Sequence, residues 1–146
     1  MGLYLKIDVA RVKRLLYEIE EAIKMLEKAV SMSEEDFLND ITTRYAVKYA
    51  IIKIVEASAV LGTHILESEY ELIPESYGEV FDLLSKVGVL DNDTAMGMKK
   101  LVGLRNLLVH RYWVVDDSRI YREAKGRGLR VIKNFVEMVY AYVSGR

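Results

Sequence analysis

The sequence predicts an all-α fold, an antiparallel up-and-down bundle of about five helices. Three observations carry this. Apolar residues recur three and four apart over long stretches, which is the period of one helix face. The 146 residues include one proline, Pro74, and nine glycines, too few turn formers for a sandwich or barrel of many short strands. No two alternating runs are joined by hairpin chemistry, and no internal repeat is present. The length suits one domain, residues 1–146, large enough for a core without staples.

The elements follow in order. Val12, Leu15, Leu16, Ile19, Ile23, Leu26 and Val30 form one stripe on a first helix, about Asp8 to Ser31, with Asp8 as N-cap. Ser33, followed by Glu34, Glu35 and Asp36, caps a second helix whose first turn suits the helix dipole. Its pattern runs to about Ser68. The middle, "YAVKYAIIKIVEASAVLGTHIL", is apolar on most sides, as in the central helix of a bundle, with Gly62 a candidate bend. "ESEYELIPES" is the main loop. Ser76 and Glu79 fit a capping box for a short helix, Tyr77 to Val87, which packs Val80, Phe81, Leu83 and Leu84 and stops at Gly88. "DNDT", 91–94, opens a fourth helix ending near His110. Asp117-Ser118 opens the last, to about Val143, with "GRG" at 126–128 as a weak point. Its stripe is Ile132, Phe135, Val136, Val139, Tyr140 and Val143.

Composition narrows the function. There is no cysteine, hence no disulfide framework and no thiolate metal site. The first residues are charged and helical in pattern rather than a secretory leader. No uninterrupted apolar run approaches the ~20 residues of a membrane span, so a cytoplasmic protein without a membrane role is expected. Glutamine is absent while Glu, Lys and Arg are plentiful, the bias of heat-adapted proteins. The net charge of −1 gives no global nucleic-acid signature, but the charges are unevenly placed. Residues 18–40 hold eight acids against Lys24 and Lys28, whereas residues 99–133 hold ten bases against Asp116, Asp117 and Glu123. Such a local positive field attracts a phosphate chain. Most of the single charges are solvated helix faces.

The basic third contains "LVGLRNLLVHRYWVVDD", 101–117, an apolar run with polar residues set into it. Asn106 and His110 lie four apart on one helix face, and Arg105 and Tyr112 seven apart. Arg105 and His110 are five apart, ~140° around the axis. One ideal helix does not aim both at the same spot. A long arginine can reach round, the helix can end near Val109, or two copies of the chain can share the site across a two-fold axis. Leu104, Leu107 and Leu108 are expected to hold the helix to the core. Histidine gives and takes protons near neutral pH. Arginine is a permanent cation whose fork fits phosphate oxygens. Together they suit metal-free RNA cleavage, in which a base deprotonates the ribose 2′-OH and a cation stabilises the charge on the attacked phosphate. No carboxylate-histidine cluster at metal-ligand spacing accompanies them. A lone His beside an Arg at a helix end is more often a cap or surface pair.

The full string carries more. "GLRNLLVHRYW" closely resembles the R-x4-H-x-Y motif of the HepT-like branch of the HEPN superfamily, matched by Arg105, His110 and Tyr112, with the polar Asn106 directly after the arginine. "LIPESYGEVFDLLSKVGVLDNDTAMGMKKLVGLRN" resembles the family's middle section and "WVVDDSRIY" the segment after its motif. The resemblance implies an all-α domain, a homodimer with both motifs near a shared cleft, and the toxin of a two-gene toxin–antitoxin module that cuts RNA without a metal. It implies Arg105 and His110 as the catalytic pair, Asn106 as the residue orienting them or the phosphate, and no cofactor; Arg111 reads separately as a phosphate-binding residue or, equally, an exposed arginine at a helix end. The partner that the resemblance implies is a minimal nucleotidyltransferase (MNT) antitoxin that places AMP on Tyr112, alone or in a larger hetero-oligomer. Two rival readings are a non-catalytic subunit that binds a nucleotide or a nucleotidyltransferase partner, and an inert dimeric scaffold.

The remaining polar residues have plainer readings. His64 reads as a hydrogen-bonded core histidine. Trp113 reads as a packing or interface residue, with base stacking as the functional alternative. Arg119, Arg122, Arg127 and Arg130 suit an RNA backbone or an acidic partner. The methionines read as core filler, and Tyr45, Tyr49 and Tyr140 as packing residues with a polar tip.

Overall fold

The first helix begins where an aspartate can cap it. In the computed structural model, which describes residues 6–145, the Asp8 side chain accepts from the Arg11 N–H at 3.0 Å. Residues 1–5 and 146 of the expected domain lie outside the described residues. Helix α1 (Val9–Ser31) buries Val12, Leu15, Leu16, Ile19, Ile23 and Leu26, and Val30 at the edge of the stripe is half-buried.

Ser33 caps α2 (Glu34–Leu38) as expected, but the helix does not run on to Ser68. It ends at Asn39, and Asp40 caps a new helix, α3 (Ile41–Tyr70), by accepting from the Thr43 N–H at 3.1 Å. Short polar side chains compete for backbone hydrogen bonds, so two in succession stop one helix and start another. Gly62 does not interrupt α3. A Cβ there would stand 2.5 Å from Val80 Cγ1 and 2.9 Å from Leu84 Cδ1, so the glycine serves the close approach of α4 (Tyr77–Lys86). Overpacking costs about 1–3 kcal/mol, more than the ~0.5–1 kcal/mol that alanine gains over glycine inside a helix. Gly62→Ala should therefore lower the urea midpoint while the helical circular-dichroism signal persists.

Helix α3 is long and apolar enough to cross a membrane by length and composition, a feature the sequence expectation did not allow for. In the fold 61% of its most apolar window is buried inside the bundle, so its hydropathy belongs to the core.

The capping box of α4 is present. Ser76 Oγ accepts from the Glu79 N–H, while Glu79 Oε1 accepts from the Glu75 N–H, one residue earlier than the ideal box. The turn after α4 places Gly88 at φ +86°, a region glycine enters without strain. Asp91 caps α5 (Asn92–His110) by accepting from the Thr94 N–H at 2.8 Å. The last expected helix is divided into α6 (Asp117–Glu123), a π-helical turn at Ala124–Gly128 and α7 (Leu129–Ser144). The turn coincides with "GRG", where low helix propensity lets the ladder loosen. The cap of α6 is Asp116 rather than Asp117. Asp117 instead faces α3, where it pairs with Arg44 at 3.0 Å and Lys48 at 2.8 Å. Burial pushes its carboxyl up, but these two cations outweigh that and hold it below the usual range.

α1, α3, α5 and α7 close a ring, each touching the next, and α4 covers the α3–α5 seam. Neighbours run antiparallel: Glu27 meets Lys133 and Glu20 meets Tyr140, while Arg44 meets Asp117 and Glu56 meets Arg105. The core holds Leu16, Ile19, Ile54, Leu61, Phe81, Met98 and Phe135, with Phe81 and Phe135 edge to face at 5.9 Å. Of the methionines expected as filler, Met98 is fully buried and Met96 is exposed. Tyr140 lies at the stripe's edge, its hydroxyl donating to Glu20 at 2.9 Å. Tyr45 and Tyr49 are not part of the core, although Lys48 lies 5.6 Å over the Tyr45 ring. Both are exposed on the outer face of α3.

His64 is half-buried at the α1–α3 seam rather than in the core. Its Nε2 accepts from the Asp8 N–H at 2.8 Å, and Nδ1 faces Ser68 Oγ at 3.4 Å. An accepting Nε2 requires the neutral ring. Burial, then the nearby Arg11, lower its pKa below the ordinary 6.5, against Asp8 and Glu67, which raise it. The unfolded chain therefore binds a proton that the folded chain resists. His64's contribution is complete above 6.5 and is lost as pH falls through the lowered folded value. Stability from chemical denaturation should drop as pH falls below 6.5, and His64→Gln should flatten that drop.

Candidate functional site

The motif occupies the end of the bundle where α5 runs out. The last turn of α5 carries His110, and the Arg111 N–H closes it by donating to the Leu107 carbonyl at 2.8 Å. The chain then leaves the helix through a 3-10 turn at Tyr112–Val114. Leu108 is buried and Leu104 half-buried, so these two hold α5 to the core; Leu107, expected to join them, is exposed. So are Asn106, His110, Arg111, Tyr112, Trp113 and Val114. The Asp117 pairs with α3 anchor the far end of this exposed segment.

Arg105 points inward instead, toward α3, as the helical spacing requires. Its side chain is 18% exposed. Nη2 donates to Glu56 Oε1, Nη1 donates to Asn106 Oδ1 at 3.0 Å, and the guanidinium lies over the Tyr77 ring at 5.2 Å. Tyr77 in turn donates its hydroxyl to Glu56 Oε2 at 2.5 Å. That bond, with burial, raises the Tyr77 pKa above 10. The long arginine thus reaches round the helix to Asn106, which shares the His110 face. No hydrogen bond or ion pair engages the His110 imidazole among the described residues, so it is open to a ligand.

Tyr112 is 70% exposed, its phenol free of hydrogen bonds among the described residues, and it meets Trp113 edge to face at 5.5 Å. Trp113 is itself largely exposed and outside the core, which leaves the interface and stacking readings. The basic set is not uniform. Arg122 is committed to Glu34 through two bonds, 3.0 and 3.1 Å, which tie α6 to α2. Arg119 pairs with Glu123 at 3.3 Å. Arg127 and Arg130 are exposed, Arg127 at the edge of a groove of about 390 Å³ between α5 and the π-helical turn. No three His, Asp or Glu side chains gather as a metal would need among the described residues.

Sequence reasoning missed Glu56 and Tyr77. The available signal was Glu56 itself, a carboxylate inside the apolar middle of α3, where a charge needs a partner.

A family described as Ribonuclease HepT-like matches residues 19–139. The chain belongs to the HepT-like ribonuclease family. The matched span of this HepT-like chain takes in Glu56, Tyr77 and the whole 105–112 motif. The Shewanella oneidensis protein named mRNA nuclease HepT is 29% identical over 94 residues, which is 64% of this chain and 70% of that protein. Among solved structures, the tri-AMPylated Shewanella oneidensis HEPN toxin in complex with MNT antitoxin superposes with a TM-score of 0.81 at 23% identity, over 90% of this chain and 97% of that one. The Bacillus subtilis cytosolic protein YutE superposes with a TM-score of 0.82 at 16% identity, over 95% and 92%. These two likenesses show that the helical bundle is shared over nearly the full chain.

Proposed function

We propose that this chain is a metal-independent endoribonuclease and the toxin half of a toxin–antitoxin module. The single observation that carries this is the end of α5: Arg105 hydrogen-bonded to Asn106, with an unengaged His110 one turn on, in a chain of the HepT-like ribonuclease family. In this reading His110 takes the proton of a ribose 2′-OH, the 2′-oxygen attacks the adjacent phosphorus, and the P–O5′ bond breaks; the 5′-oxygen leaves with a proton from solvent, and a 2′,3′-cyclic phosphate remains on the other fragment. Arg105 stabilises the charge that develops on the phosphate. Asn106 orients the guanidinium, and Arg111 supplies a second phosphate contact. Unpaired RNA is the preferred substrate, because its backbone is free to align for attack.

The working unit of this reading is a homodimer. Ile41, Tyr45, Tyr49 and Val60 are exposed at helical spacing along α3, beside Glu56 and Arg105, and Leu107, Val109 and Trp113 continue the apolar surface at the end of α5. A two-fold axis through that surface sets the two motifs in one cleft. The partner is an MNT nucleotidyltransferase antitoxin, and the exposed Tyr112 hydroxyl is the acceptor of its AMP. The site of action is the cytoplasm. Purified protein, freed of its partner and held in chelator, should cut a single-stranded RNA. RNA left intact under those conditions, with the helical signal present, would remove the proposal.

A further inference from the structure

We infer that Glu56 is a positioning residue for the RNA cleavage proposed above, clamping the Arg105 guanidinium between α3 and the Tyr77 ring so that its Nη1 edge meets Asn106 on the His110 side. The inference rests on that ribonuclease reading.

Glu56 is placed where a carboxylate needs a reason. It sits on α3 between Val55 and Ala57, both buried, and its oxygens are divided between two elements: Oε1 takes Arg105 of α5 and Oε2 takes Tyr77 of α4. Arg105 is held on three sides, by Glu56 at Nη2, by Asn106 at Nη1, and by the Tyr77 face 5.2 Å away. A guanidinium has five N–H donors. Nε is buried without a partner, so one N–H on each terminal nitrogen remains for phosphate oxygens. Three helices therefore converge to fix a cation whose own helical position points ~140° away from His110. An ordinary surface ion pair fixes neither ring face nor edge.

The clamp has a second consequence. Glu56 offsets the charge of Arg105 before substrate arrives, so Arg105 adds little to ground-state attraction for RNA. Its value lies in geometry as charge develops on the phosphate. Removing Glu56 should damage kcat and leave KM unchanged or lower, a split that general loosening of the fold does not produce.

The experiment uses the full chain as wild type, Glu56→Ala, Glu56→Gln, Tyr77→Phe, and Glu56→Ala combined with Arg105→Ala. Each is read by single-strand RNA cleavage, by circular dichroism, and by arginine side-chain NMR of the guanidinium's rotation. Misplacing a reacting group costs on the order of a hundredfold. Glu56→Ala should lower kcat by about ten- to a hundredfold with KM not raised. Glu56→Gln keeps an acceptor for Arg105 and should restore most of kcat. Tyr77→Phe keeps the ring and should lose about two- to tenfold. Adding Glu56→Ala to Arg105→Ala should cost nothing further, because one acts through the other. Slow rotation of the Arg105 guanidinium should be present in the wild type and lost in Glu56→Ala. Wild-type cleavage with an undiminished Glu56→Ala, or a further loss in the Arg105→Ala background, overturns this inference alone. A wild type that cuts no RNA overturns the ribonuclease reading and this inference with it.

Discussion

Replacing His110 by alanine should abolish RNA cleavage while leaving the bundle intact. General acid–base catalysis contributes about 10²–10⁴-fold, and His110 is the imidazole at the end of α5, exposed and without a hydrogen-bond or ion-pair partner among the described residues. Truncation of this exposed side chain breaks no hydrogen bond among the described residues, so the thermal midpoint should move by little, as for surface substitutions within about ±0.5 kcal/mol. The prediction is sharper for the pair. Arg105→Ala should cost a comparable factor, through loss of charge stabilisation on the phosphate worth about 10²–10³-fold. Because the two act on one reacting centre, the double variant should be little worse than either single one. Rates measured with one labelled oligonucleotide in chelator decide this. Additive losses would mean that the groups work at separate places.

The second large effect concerns regulation. Tyr112→Phe should escape the antitoxin. Co-expressed with its nucleotidyltransferase, the wild type should gain one or more AMP units by intact mass, and Tyr112→Phe should gain none. The physical case lies in position. Tyr112 directly follows the helix end that carries His110, with most of its surface in solvent. A phosphodiester-linked AMP there adds a bulky anion beside the cations of the motif, so it excludes RNA by volume and by charge. Cells carrying Tyr112→Phe together with the partner should stop growing where cells carrying the wild-type pair continue. Equal AMP loading on the Phe variant would move the modification to another residue.

Much of the fold was legible because periodicity and caps are local signals. Asp8, Ser33, Ser76 and Asp91 each cap the helix expected of them. The misreadings arose where two local signals competed. Asn39-Asp40 sits inside an otherwise continuous pattern, and only the cap geometry shows that the second helix restarts. Asp116 and Asp117 are adjacent and chemically alike, and tertiary pairing with Arg44 and Lys48 decides which one caps α6. Gly62 carries no sequence mark of whether it bends a helix or admits a neighbour. In the candidate site, Arg105, Asn106 and His110 were singled out by the resemblance of the whole 105–112 string, since residue type and spacing alone favoured a cap or surface pair; the reach of the arginine round to Asn106 is one of the geometries that spacing allowed. Glu56 and Tyr77 were not, since 49 and 28 positions separate them from Arg105 and no periodicity links such distances. Tyr45 and Tyr49 read as packing residues from their type, and only the placement of α1, α4 and α5 against α3 leaves them outside.

The central claim is that one imidazole and one guanidinium act on a single phosphodiester through the neighbouring 2′-OH. A single-stranded RNA with one strong cleavage site tests it directly, compared with the same strand lacking only the 2′-OH at that site. The account predicts that the natural strand is cut in chelator to leave a 2′,3′-cyclic phosphate, and that the deoxy strand survives at that position. Cutting of the deoxy strand at the same bond would contradict it.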